Sequence, residues 1–243
     1  MPLWVVRAAC LLFVLLAGNP QASADDLADF NAAVENLSAH NRVAIGYLRT
    51  GNGDLASLEI DRLREGWTKF TERFSGKPPH AFDGNPLYPK IFTVVGVRLV
   101  GTDLMLKTGH FEAAQTGLNG IRTDLYDLRK ASGILVLADC VRDANITMDA
   151  LMAFDDRALD WGNAETGPTV TNKASSYGIE LDRCDSIANE DIRKAPEFRR
   201  LIDGSKASLA QIPKAVTTRD ADLLHRLLIE LRSFDNLLAF RYG

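Results

Sequence analysis

The sequence predicts an all-α protein: antiparallel helical hairpins packed as one or two four-helix bundles, about eight helices in all. Three observations carry this. A helix–turn–helix unit recurs along the chain. Apolar residues return at three- and four-residue spacing through most of its length. No run alternates apolar and polar residues far enough to make a strand, Thr169, Val170 and Thr171 being too few.

The repeat is clearest at residues 47–64 and 105–122, which align without a gap. Thr50 and Gly51 match Thr108 and Gly109; Asp54 matches Glu112, Ala56 matches Ala114, Leu63 matches Ile121 and Arg64 matches Arg122. A glycine just past an apolar periodic run is the usual left-handed end of a helix. Asn52, and His110 in the second copy, then stand where a side chain can cap the next helix, and the acidic residue two positions later favours its positive end. A looser third copy, 215–232, keeps Thr218, Asp222 and Arg232 but has Arg219 where the glycine stood. The copies follow no regular period, so a solenoid of standard repeats is not expected.

Taken in order, the spacing predicts a first helix over 27–48 and a second over 54–74. Pro78, Pro79, Gly84 and Pro86 make 77–87 a loop. Pro89 suits the first turn of a third helix running to Lys107, and a fourth spans 110–130. Gly133 either separates the fourth and fifth helices or lies inside one long helix. Residues 134–158 are helical in pattern. Trp161, Gly162, Gly167 and Pro168 make 159–175 a loop. Further helices are expected over 179–192, from Pro196 to about Lys214, and from Asp220 to Phe240.

Residues 1–24 read as a secretory signal peptide. Arg7 supplies the positive end, residues 8–18 the apolar stretch, and Ala22-Ser23-Ala24 a small-residue cleavage site, so cleavage is expected between Ala24 and Asp25. Cys10 does not suggest lipidation, because Arg7 stands where that motif wants an aliphatic residue. The domain expectation is then a bundle over 25–158 holding two hairpin repeats, a loop over 159–175, and a helical segment over 176–243 packing on the first. The 243 residues carry a formal net charge of −4, more negative still without Arg7. An acidic exported chain with no basic run is a poor partner for nucleic acid or anionic lipid. Residues 91–106 are apolar but interrupted by Arg98 and Asp103, so they read as a buried helix rather than a membrane span.

Two cysteines remain, Cys140 and Cys184. In an oxidising compartment an even pair most simply forms a disulfide, with two buried thiols as the alternative. Beside the first of them, Asp139, Arg142 and Asp143 are unusually polar for an apolar helix. They are expected to form a buried ion-pair network with an arginine from a neighbouring helix, or else the wall of a pocket. Arg64, Arg122 and Arg232 sit one step round from the apolar stripes. Either they bind an anion or a partner, or their stems lie on the core while their heads reach carboxylates or water, which is the commoner arrangement.

Metal and catalytic chemistry is thinly represented. Asp222 and His225 are three apart on one helix, a spacing used in di-metal bundles, but they stand alone and read as surface or capping residues. His110 and Glu112 fall in a turn where the other copies have cap residues. Met148 and Met152 could face haem or copper but more simply fill a core. No nucleophile motif or phosphate-binding loop is present, and the four histidines are scattered.

The turn and apolar helix from Thr218 onwards, with the ending Phe240, Arg241 and Tyr242, resemble the last helix of cytochrome c′-type bundles over about thirty residues. The resemblance implies an exported four-helix architecture like that of the c′- and b562-type bundles. It brings no haem ligands across, because the Cys-x-x-Cys-His attachment motif is missing. The expected function is an exported binding or structural module, periplasmic or secreted, acting through a protein partner or a small ligand held between helices. No cofactor is predicted. The alternatives are a haem- or metal-binding bundle with a redox or sensing role, and an enzyme built around Asp139, Arg142 and Asp143.

Overall fold

The computed structural model describes residues 20–156 and 159–243; of residues 20–25 only the backbone is described. The expected signal peptide therefore lies outside the described residues, except for a short stretch of helical backbone that includes Ala24 and Asp25. The chain is all-α, with no strand among the described residues. Ten α-helices follow one another among the described residues: α1 Pro20–Arg49, α2 Gly53–Phe74, α3 Tyr88–Lys107, α4 Phe111–Ala131, α5 Leu137–Met152, α6 Thr166–Ile187, α7 Glu190–Lys194, α8 Pro196–Leu209, α9 Ile212–Thr218 and α10 Ala221–Tyr242. Two are short pieces beyond the expected eight. α7 is set off from α6 by non-helical backbone at Ala188 and by Asn189, whose side chain caps the new helix, and α9 is set off from α8 by Pro213 in its first turn.

The repeat is a repeated turn. After α1, Gly51 takes φ 75° and the amide of Asn52 bonds back to the carbonyl of Tyr47 at 2.9 Å. After α3, Gly109 takes φ 77° and His110 bonds back to Met105 at 2.8 Å. The third copy makes the same six-to-one bond, Asp220 to Ala215 at 2.9 Å, with Arg219 forced to φ 54°. The end of α4 uses it too: Gly133 at φ 67° and Ile134 bonded to Arg129 at 2.9 Å. This is the Schellman arrangement, which pairs the last orphan carbonyls of a helix. It settles Gly133 as a break between two helices. The expected side-chain caps at Asn52 and His110 are absent. Both side chains fold back instead onto the preceding threonine, Asn52 onto Thr50 and His110 onto Thr108, each at 2.8 Å. Of the three repeat turns only the last has a side-chain cap, Asp220 accepting from the Leu223 amide at 2.8 Å.

The buried apolar side chains sort into two clusters. The first joins α1 to α4 around an aromatic group of Phe30, Trp67, Phe70, Phe74, Tyr88 and Phe92. Phe82, from a 3-10 turn in the 75–87 loop, inserts into this group, so that loop is fastened to the core. The second joins α5, α6, α8, α9 and α10 around Tyr177, Phe198, Met148 and Leu228. The expected division at 158/159 is thus displaced to 134–136. α5 turns its stripe of Val141, Ala144, Met148 and Leu151 towards the second cluster. Trp161-Gly162-Asn163 marks the turn of the α5–α6 hairpin, not a domain boundary, and the expected loop ends early because α6 begins at Thr166. Pro168 is tolerated there, in a first turn whose amides have no intrahelical partner. Cys140 and Cys184 form a disulfide with a Cα–Cα distance of 5.4 Å, tying α5 to α6 inside the second bundle.

Candidate functional site

The two bundles meet where α4 hands over to α5. The Schellman turn at Gly133 and the extended Val136 redirect the chain within a few residues. Asp139 then falls in the first turn of α5, where a negative charge is favoured by the helix dipole. Its two oxygens take a paired grip from Arg129 of α4, Nε to Oδ2 at 2.8 Å and Nη2 to Oδ1. Both residues are almost completely buried. Two desolvated charges hold together only with this two-pronged geometry, and in holding they fix the angle between α4 and α5.

Beside this pair lies a cleft of about 370 Å³. Val34 of α1, Leu137 and Ala138 of α5, and Ile192 of α7 give it apolar walls; Asn31, Glu35 and Ser38 of α1, Arg129 and Arg241 bring polar groups to its rim. The side-chain oxygen of Asn31 is buried and has no hydrogen-bond partner among the described residues. The end of α10 closes one side. Arg42 of α1 donates to the main-chain oxygen of Gly243 at 2.8 Å and to Glu35 at 2.6 Å.

The sequence-selected polar residues divide over this junction. Asp139 pairs across to α4. Arg142 lies over the Tyr126 ring, 4.1 Å from its centroid, and touches Asp143 at 3.3 Å; Asp143 also accepts from Arg183 of α6 at 2.6 Å. The three residues therefore sit in ion pairs, Asp139 with Arg129 and Asp143 with Arg142 and Arg183, and of this group only Arg129 lines the cleft. Of the three repeat arginines, Arg64 stands within 3.6 Å of Asp61 and Asp103, and Arg232 bonds Asp149 and Asp235. Arg122 differs. Its Nη2 is buried with no hydrogen-bond partner among the described residues. Burial, with Arg42, Arg142 and Arg49 nearby, pulls its pKa down to about 10.

A second polar cluster, which the sequence reading missed, lies inside the other bundle. Asp235 of α10 accepts from Asn145 of α5 at 2.8 Å and from Arg232 at 3.1 Å, and the Tyr177 hydroxyl of α6 comes to 3.5 Å. Ser205 of α8 faces that hydroxyl, so all four long helices contribute. Burial raises Asp235 to about 6, although the Asn145 bond and Arg232 pull the other way. The signal was available: 224, 228, 231, 235 and 238 are one buried stripe, and residue 235 is its only carboxylate.

The remaining candidates do not converge. His225 bonds Asp155 at 2.5 Å, bridging α10 to the end of α5, and does not lie with His110 or Glu112, which stay in the α3–α4 turn. Met148 is fully buried core and Met152 packs beside it. Among the described residues no three His, Cys, Asp or Glu side chains are grouped as metal ligands, and no helix is long and apolar enough to cross a membrane.

Comparison with protein-family models, with curated proteins and with solved structures gives no match for this chain.

Proposed function

We propose that the protein is an exported two-bundle binding module that takes a small, mainly apolar molecule with a hydrogen-bond donor into the cleft between its bundles. The observation that carries this reading is the cleft itself: concave, apolar-walled, at the meeting of two cores, with Asn31, Glu35, Ser38 and Arg241 supplying polar groups to its lining. Ligand sites favour such junctions and such linings. The export half of the proposal is supported by the signal-like residues 1–24 and by the Cys140–Cys184 disulfide.

Titration with the fluorescent anion 1-anilinonaphthalene-8-sulfonate tests the cleft. Saturable, one-to-one enhancement is expected, and Ala138→Trp, which fills the cavity, abolishes it without lowering the melting temperature by more than a few degrees. Equal binding by the wild type and Ala138→Trp, or none by either, overturns the reading. Cell fractionation tests export: a cytoplasmic chain that keeps its first two dozen residues rules it out.

A further inference from the structure

The outer face of α3 is apolar, and nothing among the described residues covers it. The two charges in the interior of this helix turn sideways: Arg98 pairs with Asp124 of α4, and Asp103 stands 3.6 Å from Arg64 of α2. Val94, Val97, Val100 and Leu104 are left facing solvent, exposed by 39, 67, 62 and 56%. A helix that is apolar all round is normally buried on every side. Residues 94, 97, 101 and 104 also follow the alternating three-and-four spacing of a helix–helix seam. Gly101 makes a depression in that row, and a Cβ added there would meet nothing within 4 Å.

We propose that this face is where two copies of the chain meet, through antiparallel pairing of their α3 helices about a two-fold axis near Leu99. In that arrangement Val97 of one copy stands over Gly101 of the other. Leu104 stands over Val94, and Val100 lies beside this row. The two-fold repeats the Val97–Gly101 contact, each copy's valine entering the other's depression, so the surface is complementary to itself, as a two-fold interface requires. Each copy contributes on the order of 300–400 Å² of apolar surface, at the upper end of what a monomer leaves exposed. That is below the roughly 800 Å² per partner of a stable dimer. The association is therefore weak and reversible, with Kd on the order of 10–100 µM. A membrane surface fits this face less well, because the face carries no aromatic residue and its exposed cations are Lys90 and Lys107, one at each end, rather than a row along its flank.

Sedimentation equilibrium on the full chain, from about 5 to about 500 µM, spans that range. The weight-average mass is expected to climb from that of one chain towards that of two. Val97→Lys abolishes the rise. Gly101→Leu weakens it roughly tenfold or more by filling the depression, while circular dichroism melts show its fold intact, since the site is open in the single chain. A constant single-chain mass for the wild type overturns the proposal. So does association of Val97→Lys and Gly101→Leu equal to that of the wild type. Binding of a monomeric wild type to phosphatidylcholine–phosphatidylglycerol vesicles that Val97→Lys loses also overturns it, and makes the face a lipid contact.

Discussion

Gly53 and Phe111 occupy the same position in two copies of one repeat, and they touch. A Cβ on Gly53 would lie 2.8 Å from the Phe111 ring. The α1–α2 and α3–α4 turns lie against each other at one end of the bundle, and one copy gave up its side chain to make room for the other's. Gly→Ala at the start of a helix ordinarily stabilises. Here Gly53→Ala is expected to destabilise by about 1 kcal/mol through overpacking. In a Phe111→Ala background the same change becomes neutral or favourable. Urea denaturation of the four proteins gives the coupling directly.

Arg219 tests the backbone of the third copy. A non-glycine residue in the left-handed region costs about 1–2 kcal/mol, against the entropy glycine loses on folding. Arg219→Gly is expected to raise stability by roughly 0.5–1 kcal/mol. Gly51→Ala and Gly109→Ala, at equivalent turns, are expected to lower it by a similar amount. Chemical denaturation midpoints separate these signs.

Asp235 predicts a pH dependence of the second bundle. Its carboxyl has a pKa of about 6 in the folded chain against an ordinary 3.8, so the folded state binds the proton more tightly than the unfolded state does. The stability this confers is fully present below pH 3.8 and is lost as the pH rises through about 6. A shift of two units corresponds to about 3 kcal/mol. Asp235→Asn removes this component, flattening the stability profile between pH 4 and 6. A profile unchanged by the substitution contradicts the assignment.

The Arg129–Asp139 pair predicts a strong asymmetry between single and double replacements. Asp139→Asn leaves Arg129 buried without its counter-ion and is expected to cost about 3–5 kcal/mol. Arg129→Met with Asp139→Leu is expected to recover most of that loss, because an apolar pair of similar volume has no desolvation to offset. Thermal and urea melts of the two variants beside the wild type decide it.

Arg42 holds the end of α10 against the first bundle. Arg42→Ala removes hydrogen bonds to the main-chain oxygen of Gly243 and to Glu35. Bonds of this charged kind contribute about 1.5–3 kcal/mol together with the packing they enforce. Amide exchange in the last turn of α10 is expected to accelerate more than exchange at Leu63 or Leu118, deep in the first core. Uniform acceleration throughout the chain would mean a global loss instead.

What could be read before the fold was known was local. Thr50-Gly51 and Thr108-Gly109 announced a helix end, and the backbone there is as expected, because a left-handed glycine needs nothing beyond its neighbours. The caps were misread because Asn52 and His110 hold ψ near 70°, short of the extended backbone that Asp220 reaches at 92° after the same turn. Asp139 was legible as a charge in want of a partner, but its partner's identity depends on how α4 and α5 cross. Arg64, Arg122 and Arg232 looked alike, because a repeat shares its turn and stripe but not its neighbours. Arg122 faces other arginines across the junction, which no local pattern records. The boundary between bundles was misplaced for the same reason. Gly162 and Pro168 interrupt a helix as plainly as Gly133 does, and only packing distinguishes a hairpin from a hinge.

The single covalent tie lies wholly in the second bundle, and residues 20–134 contain no cysteine. A chain made from its N-terminus can complete its first hydrophobic core before Cys140 has emerged, with no oxidant needed. The later half alone depends on the redox state of its surroundings. Reducing the bond is therefore expected to loosen the second bundle while leaving every contact of the first core in place.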